Sequence, residues 1–272
     1  MPLAVCATPI GNLEDVTLRV LHTLREADAV LCEDTRRTRI LLDRHGIRAR
    51  SLVSLHRHNE ARRAEELVPR LVAGDLLALV SDAGLPGVND PGARLVDQAL
   101  AAGVAVTVLP GPSAVETALV TSGLGAAQYR FLGYLPRREA ELTALWEESR
   151  GWPYASVAFE SPKRLPRSLG RLAEIDPERR AAVCRELTKR YEEVVRGTAS
   201  ELAIRFQEPP RGEVTVVLSP GATLEGDVGD AVAAVRELVA SGAARRTAAD
   251  VVARLVHVSR NELYRTSLGP SD

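Results

Sequence analysis

Four segments of the chain join small or ring-constrained residues to polar ones directly after apolar runs. They are Ala7-Thr8-Pro9-Ile10-Gly11-Asn12, Ser81-Asp82-Ala83-Gly84-Leu85-Pro86-Gly87, Leu109-Pro110-Gly111-Pro112-Ser113-Ala114 and Phe159-Glu160-Ser161-Pro162. Glycine lets a backbone approach a ligand closely, and proline fixes a loop without needing a partner for its own nitrogen. Loops of this kind outside the carboxyl ends of strands are where open α/β sheets bind small molecules. Together the four describe one ligand site lined by backbone N–H and C=O groups. Asp82 stands in the tightest loop, where it either meets the ligand or hydrogen-bonds its own turn. Ser113 either meets the ligand, caps the helix that follows it, or does both.

Other polar groups also follow apolar runs: Glu33, Asp34 and Arg36, then Asn59, then Lys163 and Arg164, then Arg185, Glu186 and Lys189. So dense a set reads as functional surface, although Glu33 with an arginine also suits a structural ion pair. All but two of the 35 basic residues, Lys163 and Lys189, are arginine. The stretch 36–63 is crowded with them, Arg57 and Arg62 included, and holds His45, His56 and His58 as well. It is either an ordinary solvated face or a path for a phosphate backbone, to which guanidinium groups make forked hydrogen bonds.

The elements that must position these residues follow from the apolar spacing. Strands are expected at 3–7, 29–32, 51–55, 76–80 and 104–109, with helices at 17–27, 35–44, 60–73, 92–102 and 113–121 between and after them. The run Ser122-Gly123-Leu124-Gly125 punctuates the chain and places a domain boundary there. Beyond it, strands are expected at 130–133, 156–159, 182–185 and 213–218, with helices at 137–149, 163–173 and 198–206. After Pro220-Gly221 the pattern becomes all-helical, at 228–240, 247–256 and 260–267. The last two helices have the form of a helix-turn-helix, with Ser259 and Glu262 spaced as a capping box. The fold class is α/β, with an N-terminal α/β domain over 1–122, a second over 123–221 and a helical segment over 222–272.

Composition bounds the function. A chain of 272 residues, 45% hydrophobic and 26% charged, suits one or two globular α/β domains. A net charge of −1 excludes a molecule that traps nucleic acid by bulk charge alone. The sequence has no G-x-G-x-x-G, no Walker phosphate loop, no G-x-S-x-G elbow and no clustered metal ligands. His56 and His58 have no third ligand beside them, so no metal is expected. Cys6, Cys32 and Cys184 are odd in number and far apart, which suits reduced, buried thiols. No apolar run is long enough to cross a bilayer, and the N-terminus enters a strand without the order of a leader peptide. A cytoplasmic protein with no membrane partner is expected.

Seven motifs in order carry a more specific resemblance. They are Thr8-Pro9-Ile10-Gly11-Asn12-Leu13-Glu14-Asp15-Val16-Thr17, Glu33-Asp34-Thr35-Arg36, His56-Arg57-His58-Asn59-Glu60, Ser81-Asp82-Ala83-Gly84 with Asp90-Pro91-Gly92, Pro110-Gly111-Pro112-Ser113-Ala114, Phe159-Glu160-Ser161-Pro162 and Arg185-Glu186-Leu187-Thr188-Lys189. Over essentially its whole length the chain resembles the ribosomal RNA small subunit methyltransferase I branch of the tetrapyrrole methylase superfamily. It departs from that pattern at Leu85, where threonine is usual, and at Asn89, where serine is usual.

The resemblance implies two α/β domains with S-adenosylmethionine in the cleft between them, a homodimer, and no metal. It implies transfer of a methyl group to the ribose 2′-hydroxyl of a cytidine in the decoding region of 16S rRNA in the small ribosomal subunit. The cofactor contacts expected are Pro9, Ile10, Gly11, Ser81, Asp82, Ala83, Gly84, Val88, Ser113, Ala114, Glu160, Leu187, Gly212 and Glu213. Arg36, Arg57, Asn59, Arg62, Lys163, Arg164 and Arg185 are expected to meet RNA. Asp34 or Glu186 is the expected base, with Lys189 stabilising oxygen, although the sequence alone singles out neither carboxylate. A methyl sulfonium is already activated, so its transfer depends mainly on positioning. Methylation of a tetrapyrrole, or an RNA-binding module without catalysis, are the competing readings.

Overall fold

A computed structural model describes residues 2–125, 127–221, 228–256 and 258–268. Its first half alternates β1 (Leu3–Cys6), α1 (Leu18–Glu26), β2 (Ala29–Cys32), α2 (Thr35–Arg44), β3 (Leu52–Ser54), α3 (Glu60–Val72), β4 (Leu77–Val80), α4 (Ala93–Ala101), β5 (Val106–Leu109) and α5 (Ala114–Ser122). The five strands form one parallel sheet in the order β3-β2-β4-β1-β5. β1 and β4 are unbroken apolar runs because both of their faces are buried. Alternate residues serve opposite layers. Leu3, Val5, Leu77 and Leu79 pack towards α3 and α4, while Ala4, Cys6, Ala78 and Val80 pack towards α1 and α2. Thr17 and Asp34 start α1 and α2 by accepting hydrogen bonds from the backbone N–H groups of Val20 and Arg36.

The second half runs β6 (Tyr129–Tyr134), α6 (Glu139–Arg150), β7 (Ala155–Glu160), α7 (Leu165–Ile175), β8 (Arg180–Arg185), β9 (Glu193–Thr198), α8 (Ala199–Arg205) and β10 (Val214–Leu218). Its sheet, in the order β6-β7-β10-β8-β9, is mixed: β6 lies parallel to β7 and the remaining pairs are antiparallel. One face packs on α6, α7 and α8 around Trp146, Leu169 and Leu202. The other face is covered by α5 through Val115, Ala118 and Leu119, together with Ile10 from the loop after β1. Helix α5 therefore packs on the second sheet although it directly continues the first.

Most expected elements form within one or two residues of their expected limits. Strand β9 was not expected. It is an edge strand, Glu-Val-Val-Arg-Gly-Thr, partly buried over most of its length, so it carries no continuous apolar run. Three further helices, α9 (Val228–Ala240), α10 (Arg245–Val256) and α11 (Arg260–Ser267), enclose a small core of their own around Val235, Ala249 and Leu263.

The turn that leads from β4 to α4 is under tight steric control. Gly92 sits at φ +125°, its N–H donates to Glu60 Oε1 at 2.9 Å, and a Cβ there would lie 2.6 Å from Leu79 Cδ2. Gly103, at φ +74°, has nothing within 4 Å of the same position. Gly92→Ala is expected to cost about 3 kcal/mol from backbone strain and overpacking, and Gly103→Ala about 1 kcal/mol. Urea unfolding of the two variants measures the difference.

Candidate active site

A cavity of about 750 Å³ lies between the carboxyl ends of β4, β1 and β5 and strands β6, β7, β10 and β8 of the second sheet. Because β10 runs antiparallel to β7 and β8, its start, Gly212–Thr215, joins the ends of those two strands in the cavity wall. The volume is that of a pocket for a cofactor-sized ligand.

The loops of the first sheet are tied to one another before any ligand arrives. Thr8 and Gly84 exchange backbone hydrogen bonds of 2.8 and 3.0 Å, and Thr8 Oγ1 donates to Ser81 O at 3.0 Å. A Cβ on Gly111 would lie 2.9 Å from Ala7 Cβ, so the third loop presses on the first. Ile10, Asp82, Ala83, Gly84 and Val88 line the cavity from this side, as do Ser113 and Ala114 at the head of α5. Ser113 occupies the N-cap position without capping, because its hydroxyl donates instead to the Glu116 carboxylate. Pro9 and Ser81 lie behind Asp82 around a smaller hollow shared with Arg37 and Thr38. Gly11 does not line the cavity. A Cβ there would come within 2.7 Å of Thr188 Oγ1 and 2.9 Å of Leu187 O, so its small size serves the contact between the two halves.

From the second half, Glu160, Leu187, Gly212 and Glu213 line the cavity in different states. Glu160 is fully buried, paired to Arg164 at 2.6 Å, and accepts from Ser168 Oγ at 2.5 Å and Ser161 N at 2.6 Å. Arg164 also donates to the carbonyls of Leu135 and Pro136. That pair anchors the start of α7, which takes Arg164 away from a free role on phosphate. Gly212, at φ +92°, leaves room for the Glu186 side chain. Lys189 Nζ bridges Glu186 and Glu213 at 2.9 Å each. Its two carboxylate partners raise the Lys189 pKa against the opposing effect of its burial. Asn12 N donates to Thr188 Oγ1 at 3.0 Å, closing the loop against the first half.

The expected base Asp34 caps α2 and holds Arg36 through both oxygens, at 3.1 and 2.8 Å. Hydrogen bonds from Arg36 pull its carboxyl down to about 2, which makes it a weak proton acceptor. Glu186 is also lowered, by the Glu213 backbone N–H and by Lys189, against its burial. The expected RNA set is divided in the same way. Asn59 closes its own turn, accepting from His56 N at 2.8 Å and donating to Ser54 O at 3.1 Å. Arg185 is held by Glu193 and by the Arg211 carbonyl. Arg36, Arg57, Arg62 and Lys163 are exposed.

Sequence reasoning missed three features. Tyr129, Phe131 and Tyr134 line the cavity from β6, with Phe131 and Tyr134 packed edge-on against Phe159 at 5.0 and 5.5 Å. Residues 131 and 134 lie on opposite faces of a regular strand. An irregular register at Gly133, φ +68°, brings both to the cavity. With only three Phe and five Tyr in the chain, their clustering around one strand was a readable signal. Asp90 and Glu116, the other omissions, are also in the cavity wall. Asn89, one of the departures noted above, takes φ +62°, a conformation that asparagine tolerates better than most residues. The cysteines are free and buried, with burial pushing the Cys6 and Cys184 thiols up to about 12.

The profile of the tetrapyrrole (corrin/porphyrin) methylases matches residues 2–203. A ribosomal RNA small subunit methyltransferase I from Mesorhizobium japonicum is 41% identical over 99% of this chain and 92% of its own length. One of the same name from Thermotoga maritima is 43% identical over 80% of this chain and 97% of its own. The chain belongs to the tetrapyrrole methylase family, in its ribosomal RNA small subunit methyltransferase I branch. Solved methyltransferases share the fold at lower identity. The methyltransferase CobJ superposes with a TM-score of 0.62 at 20% identity, over 81% of this chain and 95% of its own. A Thermus thermophilus uroporphyrin-III C-methyltransferase complexed with S-adenosyl homocysteine gives 0.58 at 18% identity, over 80% of this chain and 96% of its own.

In this member of the family the Glu160–Arg164 pair is expected to be a stability determinant. Glu160→Ala strands a largely buried guanidinium and is expected to cost about 3–5 kcal/mol, read from urea unfolding.

Proposed function

We propose that this chain transfers the methyl group of S-adenosylmethionine to the ribose 2′-hydroxyl of a cytidine in the decoding region of 16S rRNA, in the small ribosomal subunit. The observation that carries the reading is the match, at 41% identity over 99% of the chain, to a relative named for small-subunit ribosomal RNA methylation. The cavity supports it. Its wall combines backbone-rich loops, an aromatic patch and carboxylates, a set suited to an adenosyl group and a sulfonium. The bound donor supplies an activated methyl group, and the residues of the chain supply position and a proton acceptor.

The RNA is read as approaching over the exposed arginines of 36–63, with Arg57 beside the acidic cavity rim. The helical unit α9–α11 presents Arg254 and Arg265, both exposed, to the same partner. Phosphate contacts would set the register while the cavity selects the nucleotide. We read the active species as a homodimer, which sedimentation equilibrium tests directly. We read the place of action as cytoplasmic; no helix among the described residues is long and apolar enough to cross a membrane.

The test is incubation with methyl-labelled S-adenosylmethionine and, separately, small subunits, naked 16S rRNA and uroporphyrinogen. Nuclease digestion and mass spectrometry should place the label on a cytidine ribose. A label on a nucleobase, or on the tetrapyrrole alone, contradicts the reading. Two variants divide the site. Asp82→Ala should weaken S-adenosylmethionine binding about tenfold in calorimetry. The double charge reversal Arg57→Glu with Arg62→Glu should leave that affinity unchanged and reduce RNA methylation, with wild-type RNA binding falling as salt rises.

A further inference from the structure

Five carboxylates line the cavity: Asp82, Asp90, Glu116, Glu160 and Glu213. Four are already engaged. Asp82 pairs with Arg37 at 3.4 Å and accepts from Asp34 N, Glu160 pairs with Arg164, and Glu213 pairs with Lys189. Glu116 accepts from Ser113 and from the Tyr129 hydroxyl at 2.6 Å. Asp90 is different. Among the described residues it has no cation within ion-pair distance, and its one side-chain donor is Ser81. The proton of that hydroxyl is also within reach of Ala83 O at 3.2 Å and Gly84 O at 3.1 Å, so Asp90 holds it only in competition.

The backbone fixes this half-buried carboxylate in place. Asn89 at φ +62° and Gly92 at φ +125° flank it, and Glu60 Oε1 accepts from Gly92 N and Arg94 N at 2.9 Å. The Asn89 amide lies against Gly133 of β6, so the loop touches both halves of the molecule.

Resting on the functional reading above, we propose that Asp90 is the general base that takes the proton from the acceptor hydroxyl. In that step the hydroxyl oxygen attacks the methyl carbon, forming the O–C bond. The C–S bond breaks with its electron pair going to sulfur, which leaves S-adenosylhomocysteine, and the hydroxyl proton passes to Asp90 and then to water. The environment suits the task. Burial, Glu33 and Asp82 push the Asp90 carboxyl up to about 6, against the lowering effects of Ser81 and Arg57. Tyr134 faces it from the second half, and Asp90 contributes to the raised pKa of that phenol. An acceptor of this strength is ionised at neutral pH and still basic enough to act.

Two consequences separate this role from a structural one. The unfolded carboxyl titrates near 3.8 and the folded one near 6, so the folded state binds more protons between those values. Stability therefore falls as pH rises through that window and stays lower above it. Asparagine does not ionise, so Asp90→Asn should melt higher than the wild type above pH 6 and show no such gain below pH 3.8.

The experiment is single-turnover methyl transfer to 16S rRNA by the full-length protein across that range, with calorimetry of S-adenosylmethionine binding alongside. The wild-type rate should climb through pH 6 and then level. Asp90→Asn should bind the methyl donor normally, lose about 100-fold or more in rate and lose the climb. Asp90→Glu should keep the climb at reduced rate, and Ser81→Ala should move it to higher pH. An Asp90→Asn enzyme near wild-type rate with the climb intact overturns the assignment and leaves the functional reading standing. A wild type that binds S-adenosylmethionine but never methylates RNA overturns both.

Discussion

The turn at Gly11 and Asn12 meets the loop Glu186–Lys189 at the seam between the halves, where a Cβ on Gly11 would fall within 2.7 Å of Thr188 Oγ1. Thr188 and Glu186 both hold positive φ there, conformations that non-glycine residues adopt only when their surroundings compel it. Those surroundings are explicit: Asn12 N on Thr188 Oγ1, Thr188 N on Glu192 at 2.6 Å, and Lys189 between two carboxylates. The cavity depends on this seam, because its two walls belong to different sheets that share no strand. Ile10 and α5 add the apolar part of the same contact by burying one face of the second sheet. Closing the seam and covering that sheet are one structural event.

Charge is arranged along the cavity with a similar economy. Carboxylates needed for architecture are neutralised where they stand: Glu160 by Arg164, Glu213 by Lys189, and Asp34 by Arg36 beside the mouth. The Arg164 guanidinium is thereby withdrawn from any free positive surface, whereas Arg36 stays exposed. Among the described residues Asp90 of the cavity wall has no ion-pair partner, and burial with the charges of Glu33 and Asp82 raises its pKa. Such a concentration of unfavourable charge lowers stability, and a site that must accept a proton is where that cost has a purpose.

The sequence was most legible where burial is complete on both faces. Leu77–Val80 and Leu3–Cys6 are apolar throughout, so their strands and the parallel α/β class followed from periodicity, and the strand-end loops then located the cavity. It was least legible where one residue serves two neighbours. Glu193–Thr198 pairs on one side alone and shows no apolar run. The irregularity at Gly133 rotates Tyr134 into the cavity, a shift that period-two counting does not register. Glu160 and Asn59 carry the polar chemistry of ligand contacts, yet local partners give both a packing role, Glu160 with Arg164 and Ser168 at the start of α7 and Asn59 within its own turn. Asp90 belongs to a motif rich in polar residues, and its distinction, that no cation lies within ion-pair distance among the described residues, is visible only from its three-dimensional neighbours.

The central claim is that the space between the two sheets is where methyl donor and RNA ribose meet. A crystal structure of the full chain with S-adenosylhomocysteine tests it most directly. The account places the ligand between the Asp82–Leu85 and Pro110–Ala114 loops and the Gly212–Thr215 strand start, with its sulfur open towards Asp90. A ligand seated elsewhere on the molecule, or a cavity left empty at saturating concentration, would contradict it.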